Sequence, residues 1–293
     1  MKKVFVMLLT MILFFLTGCE ETGPSGPVPE PPVYCKAVDY EYDYETLTYN
    51  LIWSDEFDGD ELNLDDWTYE VNGYGGGNNE LQYYTDQNVV VEDGLLKIIA
   101  KKEEYLGREY TSSRINTDGK VEFRYGIVEI SAKMPAGTGT WAALWMLPDE
   151  NLYGGWPNSG EIDIMEYVGY QATLAHSTIH TKIYNHIDGS QKGNSRNIED
   201  LTENFHTYKL EWLPDKIVFY IDDVKLYTWE PGKYVSCPEY GMWPFDRDFY
   251  LIFNIAIGGD WGGAYGVDDD IFPTVMEVDY VRVYQAEEFS DLD

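Results

Sequence analysis

Within the stretch GEIDIMEY, residues 160–167, three carboxylates stand among apolar neighbours: Glu161, Asp163 and Glu166, at spacings of two and then three. Two glutamates flanking an acetal carbon suffice to cleave it. An ionised one attacks the carbon while a protonated one gives its proton to the departing oxygen. A third carboxylate between them would help keep the two in different protonation states, by hydrogen bonding and by repulsion.

The spacing dictates the element that must carry these acids. Side chains alternate along a strand, so Glu161 and Asp163 share a face and Glu166 would point to the other. A β-bulge between Asp163 and Glu166 absorbs one extra residue and returns Glu166 to its companions. Ile162, with one or both of Ile164 and Met165, then packs inward. The glutamate Cα atoms would be about 13 Å apart along the strand, and side chains leaning together would approach the roughly 5–5.5 Å carboxyl separation of a retaining glycosidase. Acids on an exposed edge strand could serve solubility alone, but the neighbours argue for a site. Trp141 and Trp145 lie four apart in GTWAALWMLP, and His180, Trp243 and Trp261 follow. Aromatic faces of this kind stack on the apolar C–H faces of sugar rings.

The rest of the chain reads as the scaffold for such a strand. The runs KIVFYI-DD-VKLYTW and VVV-EDG-LLKIIA predict hairpins, and VEFRYGIVEISAKM, FYLIFNIAI and MEVDYVRVY add further strands. No long helical periodicity and no repeat interrupts them, which predicts one antiparallel β-sandwich rather than a βαβ fold. The 9 Trp, 25 Tyr and 12 Phe suit sheets that pack on one face and grip something flat on the other.

Residues 1–18 have the build of a signal peptide, with Lys2 and Lys3 ahead of an apolar run. The run ends in Leu-Thr-Gly-Cys, which resembles a bacterial lipobox with Cys19 as the lipidated residue. A Pro/Gly/Glu-rich tether over 19–50, a folded domain over 51–287 and an acidic tail over 288–293 would follow. The expected location is the bacterial cell envelope, lipid-anchored at an outer membrane or cell surface. Cys35 and Cys237 are left as a candidate disulfide pair. The formal charge is −32, and −34 once residues 1–18 are removed. Such a surface disfavours nucleic acid and anionic polymers, and favours a neutral partner.

The run E-I-D-I-M-E resembles the bulged signature E-x-D-x-x-E of glycoside hydrolase family 16. The chain is similar to its bacterial laminarinase-type endo-β-glucanases, with further matches at WTYE, NNELQYYT, SSRINT, YGIVEISAKMPAGTGTWAALWMLP, FHTYKLEWLPDKIVFYIDD, WPFDRDFYLIFNIAIGGDW and VDYVRVYQ. That resemblance implies a β-jelly-roll of two antiparallel sheets with a concave cleft for a neutral β-glucan, and catalysis without a cofactor. It implies Glu161 as nucleophile, Glu166 as general acid/base and Asp163 as supporting carboxylate. Trp141 and Trp145 match sugar-stacking positions; Arg114, Asn78, Asn79 and His180 match polar contacts in the cleft. A structural calcium is implied at Glu56, the backbone of Gly94 and Asp279. VNGYGGGNNE departs from the pattern, carrying glycines where related laminarinases commonly have a tryptophan before the asparagines.

The motif leaves β-1,3-glucan and mixed-linkage β-1,3-1,4-glucan both open. A galactan hydrolase of the same family would want more clustered basic residues than 20 Lys and Arg spread through the chain. A glycan-binding lipoprotein without catalysis would not need all three acids.

Overall fold

The computed structural model describes residues 44, 46–233 and 239–290. The signal segment, Cys19, Cys35 and Cys237 lie outside them. The described chain forms two β-sheets. The smaller runs in the order Lys192–Asn197, Leu174–His180, Glu161–Val168, Thr140–Pro148, Phe249–Ile257, Arg114–Asn116 and Thr68–Tyr69. The larger is centred on Gly126–Lys133 and on Thr274–Ala286, which pairs on its other side with Leu95–Tyr105. All pairings between strands among the described residues are antiparallel except one: Gln82–Tyr84 runs parallel to Arg108–Ser112. Helical structure among the described residues is confined to single 3-10 turns.

Alternation in the sequence becomes alternation in burial. In GIVEISAK, Val128, Ile130 and Ala132 face the core while Ile127, Glu129 and Lys133 are half-exposed. From the smaller sheet, Ala142, Leu144, Met146, Phe253, Ile255 and Ile257 meet Tyr208, Leu210, Trp212 and Phe219 from the larger one in a single apolar core. Both expected hairpins form. Asp222 and Asp223 (φ 50° and 59°) join Ile217–Ile221 to Val224–Trp229, and Asp93 and Gly94 (φ 57° and 73°) join Val89–Glu92 to Leu95–Tyr105. Left-handed residues at both central positions match the right-handed twist of the strands they connect.

The domain edges differ from the sequence reading. The first strand, Tyr49–Asp55, opens two residues before Leu51 and pairs with Thr274–Ala286, while Tyr44 and Leu47 already pack on the core. At the other end, Phe289 lies inside the expected acidic tail yet is buried against Tyr49 and Tyr125. One aromatic ring is enough to bind a segment that its charge alone marks as solvated.

Candidate active site

The acid-bearing strand is Glu161–Val168. Against Leu174–His180, Asp163 pairs with Thr178 and Glu166 with His176, so that Ile164 and Met165 together face the single residue Ser177. Against Thr140–Pro148, Met165 pairs with Leu144 and Asp163 with Trp145, leaving Ile164 as the extra residue. This is the bulge that the spacing demanded. Ile162, Ile164 and Met165 are all in the core, and the hydroxyl of Ser177 donates to the Ile164 carbonyl at 2.7 Å, satisfying a group that the irregular pairing strands. Gly160 opens the strand at φ 92°, where a Cβ would stand 2.8 Å from Pro244 Cγ, so only glycine brings the chain this close before Glu161.

Each glutamate is held by an indole. Trp156 Nε1 donates to Glu161 Oε2 at 2.8 Å, and Trp141 Nε1 donates to Glu166 Oε1 at 3.1 Å. His180, paired in register with Glu161, places Nε2 3.3 Å from Asp163 Oδ2 and 3.7 Å from Glu161 Oε1. Ligating atoms of Glu161, Asp163 and His180 all fall within 4.8 Å of one another.

This crowding sets the electrostatics. Burial pushes Glu161 up to about 8, the Asp163 charge adds to it, and His180 and the Trp156 N–H act against it. Burial likewise raises Glu166 to about 7, opposed by His180 and by the Trp141 N–H, with the Glu161 charge raising it further. Asp163 is driven well above the usual carboxylate range by burial and then by Glu166. Three acids so placed cannot all be ionised near neutrality, and the cluster retains protons. A site that must attack with one carboxyl and protonate with another needs that condition.

Beside the acids, a chain of donors fixes Trp145. Its Nε1 donates to Asn254 Oδ1 at 2.8 Å, Asn254 Nδ2 donates to the Tyr84 hydroxyl at 3.2 Å, and that hydroxyl donates to Glu80 Oε2 at 2.9 Å. Gln82 Nε2 also donates to Glu80 Oε2, at 2.6 Å. Glu80, Gln82, Tyr84 and Asn254 are all buried. Arg114, expected in the cleft, stacks its guanidinium on Trp145 at 4.8 Å and pairs with Glu70 at 2.8 Å, so it backs the indole.

The other expected contacts divide. Asn79 donates to both oxygens of Asp260 at 2.9 and 3.1 Å, and the Asn78 carbonyl accepts from the Asp260 N–H, which ties their loop to residue 260. His180 is only 5% exposed and serves the acids rather than an open surface. Trp243 must be corrected as a sugar contact: it is 2% exposed and packs edge-on to Phe245 in the core. Its place in WPFD gave no sign that the ring points inward. The residues that the sequence reading passed over are Trp156, His176, Asn254, Glu80, Gln82 and Tyr84. Trp156, five positions before Glu161, was within reach of a search for donors to the nucleophile; the others depend on segments meeting across the sheet.

The three positions assigned to calcium converge at one end of the larger sheet. Asp55 pairs with Val281, Leu96 pairs with Val278, and Asp279 lies at a bulge between those partners. Glu56, however, is clasped by Arg282 through two bonds of 2.8 and 2.7 Å, and that bond holds its carboxyl below the usual range. Asp279, the other carboxylate of the three, accepts from Ser131 Oγ at 3.3 Å. In this structure Glu56 is an ion-pair partner of Arg282, a role that competes with ligation of a hard cation.

Two glutamates and an aspartate on one face of a bulged sandwich strand, bordered by indoles, define a glycoside hydrolase that works through paired acids. Comparison with known proteins is consistent with this. Residues 76–282 match the family described as Glycosyl hydrolases family 16, and the chain belongs to that family. It is 49% identical over 245 residues to a "Beta-glucanase" of Rhodothermus marinus, covering 81% of this chain and 85% of that one. The X-ray structure of the laminarinase from Rhodothermus marinus superposes with a TM-score of 0.80 at 47% identity, over 82% of this chain and 99% of the other. A non-specific endo-β-1,3(4)-glucanase of the family, crystallised with a glucan at its active site, gives 0.77 at 43% identity over 81% and 95%.

Proposed function

We propose that the chain is a retaining, endo-acting β-glucanase that cleaves β-1,3-glucan, mixed-linkage β-1,3-1,4-glucan or both by double displacement. The observation that carries this reading is the bulge at Ile164–Met165, which leaves Glu166 beside Glu161 and Asp163, with a separate indole donor on each glutamate. Endo action and the glucan substrate are supported by relatives whose names state them. A neutral polymer is also what an acidic protein with aromatic cleft residues would accept.

In the first step Glu161, ionised, attacks the anomeric carbon as Glu166 passes its proton to the glycosidic oxygen. The carbon–oxygen bond breaks, and a glycosyl ester on Glu161 replaces it. Glu166, now ionised, takes a proton from water as the water oxygen attacks the same carbon, and Glu161 departs as carboxylate with the starting anomer restored. Glu161 (about 8) stands above Glu166 (about 7), so the productive form is the tautomer of the cluster in which the retained proton sits on Glu166 and Glu161 is ionised. Residues 19–50 would tether this domain to the envelope through lipid on Cys19, which metabolic labelling with a fatty acid would detect and Cys19→Ala would abolish.

The function is tested by measuring reducing ends from laminarin, barley mixed-linkage glucan and agarose side by side, following the first-formed anomer by NMR. Release from a β-glucan with retention supports the reading. Cleavage of agarose alone, binding without cleavage, or inversion overturns it. Glu166→Ala should respond to azide only with substrates bearing activated leaving groups, as a lost acid/base requires.

A further inference from the structure

We infer that the cleft continues beyond Glu166 into an outer glucosyl-binding subsite built on Tyr265 and Tyr170, with Thr138 and Gln171 at its edges. The inference rests on the glucanase reading above and extends it to a place where no reacting group lies.

The path begins at the reaction centre. Trp141, bonded to Glu166, meets Trp261 edge-on at 5.5 Å. Trp261 packs against His176 at 5.0 Å, and its N–H lies near enough to the Tyr170 hydroxyl to oppose the rise that burial causes there. Tyr170 in turn lies 4.8 Å from Tyr265, ring to ring. Aromatic groups therefore run without a break from the proposed acid/base to a tyrosine that is 77% exposed. Scattered exposed aromatics need no explanation, but this one is braced by a second tyrosine and joined to the site. Thr138, Tyr170, Gln171 and Tyr265 enclose a shallow recess of about 380 Å³, within the range of small-ligand sites.

The lining specifies the ligand. None of the four residues is charged, so a neutral group is favoured. Two tyrosine rings offer the surface on which a pyranose C–H face stacks. Gln171 spends its carbonyl oxygen on His176 Nε2 at 3.0 Å, leaving its amide N–H groups for hydroxyl oxygens. His176 is the cross-strand partner of Glu166, so the recess is joined through Gln171 and His176 to the acid that protonates the leaving group. One glucosyl unit of a chain already engaged at the acids is the occupant that fits.

The test compares Tyr265→Ala and Tyr265→Phe with the wild type on β-1,3-gluco-oligosaccharides of increasing length and on laminarin. Tyr265→Ala should raise KM about five- to tenfold for long chains, with kcat unchanged and the shortest cleaved chains unaffected. Tyr265→Phe, which keeps the ring face, should stay within about twofold of wild type. An effect independent of length, or none at any length, overturns the subsite. Failure of the glucanase reading would look different: wild type itself would release no sugar from any β-glucan. Calorimetric titration of the same oligosaccharides into wild type and Tyr265→Ala then decides the subsite, a lost increment in affinity supporting it and equal affinities refuting it.

Discussion

The indole nitrogen of Trp156 lies 2.8 Å from Glu161 Oε2, on the acid proposed to attack the sugar. An indole N–H can only donate, so the bond favours the ionised carboxyl and works against the burial that raises Glu161 to about 8. Trp156→Phe keeps a ring and deletes the donor. The Glu161 carboxyl should then rise further, moving the acid limb of kcat/KM to higher pH. Turnover on the acid side of the optimum should fall about tenfold, the order of one charge-assisted hydrogen bond. A pH–rate profile superimposable on wild type would show that the donor does not serve the nucleophile.

The raised acids also tie stability to pH. Glu161 and Glu166 stand at about 8 and about 7 in the folded protein, against an ordinary 4.5. Between those limits the folded state binds more protons than the unfolded chain. The stability these groups contribute is therefore complete below about pH 4.5 and is lost as pH rises through 7 to 8. Glu166→Gln, permanently neutral, should escape that loss. It should exceed wild type by on the order of 2–3 kcal/mol near pH 8 and match it near pH 4. Denaturant unfolding at the two pH values measures the difference, and a variant gaining nothing at the higher pH would contradict it.

The bulge yields an asymmetric prediction. Removing Ile164 shortens the motif to E-I-D-M-E, which on a regular strand puts all three acids on one face. Inserting one alanine after Ile164 also restores parity on a regular strand, but sets Glu166 four residues beyond Asp163, about 13 Å along the strand and out of reach of the other acids. The deletion should lower stability by a few kcal/mol, through lost core volume and the lost Ser177 bond, yet retain measurable hydrolysis. The insertion should retain none. Equal activities in the two folded variants would mean that the distance between the acids along the strand does not place Glu166.

What could be read beforehand follows the same parity. Alternation fixed the two-sheet sandwich, both hairpins and the bulged strand, because strand period and turn chemistry are local properties of the chain. Glu161, Asp163 and Glu166 are legible through their spacing together with the tryptophans around them and the resemblance of the run to a family signature. Trp243 was misjudged because nothing in WPFD distinguishes a ring turned inward from one turned outward. Glu80 and Asn254, 174 positions apart in the chain, gain their relation only when NNELQYYT closes over FYLIFNIAI. Likewise Glu56 carries a ligand's chemistry until the fold delivers Arg282 to it.

That long-range relation supports the last prediction. A carboxylate can only accept, so Glu80 obliges the Tyr84 hydroxyl to donate to it. Tyr84 must then accept from Asn254, whose amide is thereby oriented with its oxygen toward the Trp145 N–H. One buried charge thus fixes the sense of three successive hydrogen bonds and steadies an indole proposed to stack on sugar. Glu80→Gln can itself donate, which permits the chain to reverse and set two donors against each other at Trp145. KM for glucan should rise about three- to tenfold while kcat holds within about twofold, since the acids are untouched. Tyr84→Phe, cutting the chain without reversing it, should raise KM similarly and lower stability by about 1–3 kcal/mol for the buried partners left unsatisfied. Should both variants bind and turn over glucan as wild type does, the polarity of this chain has no part in holding Trp145.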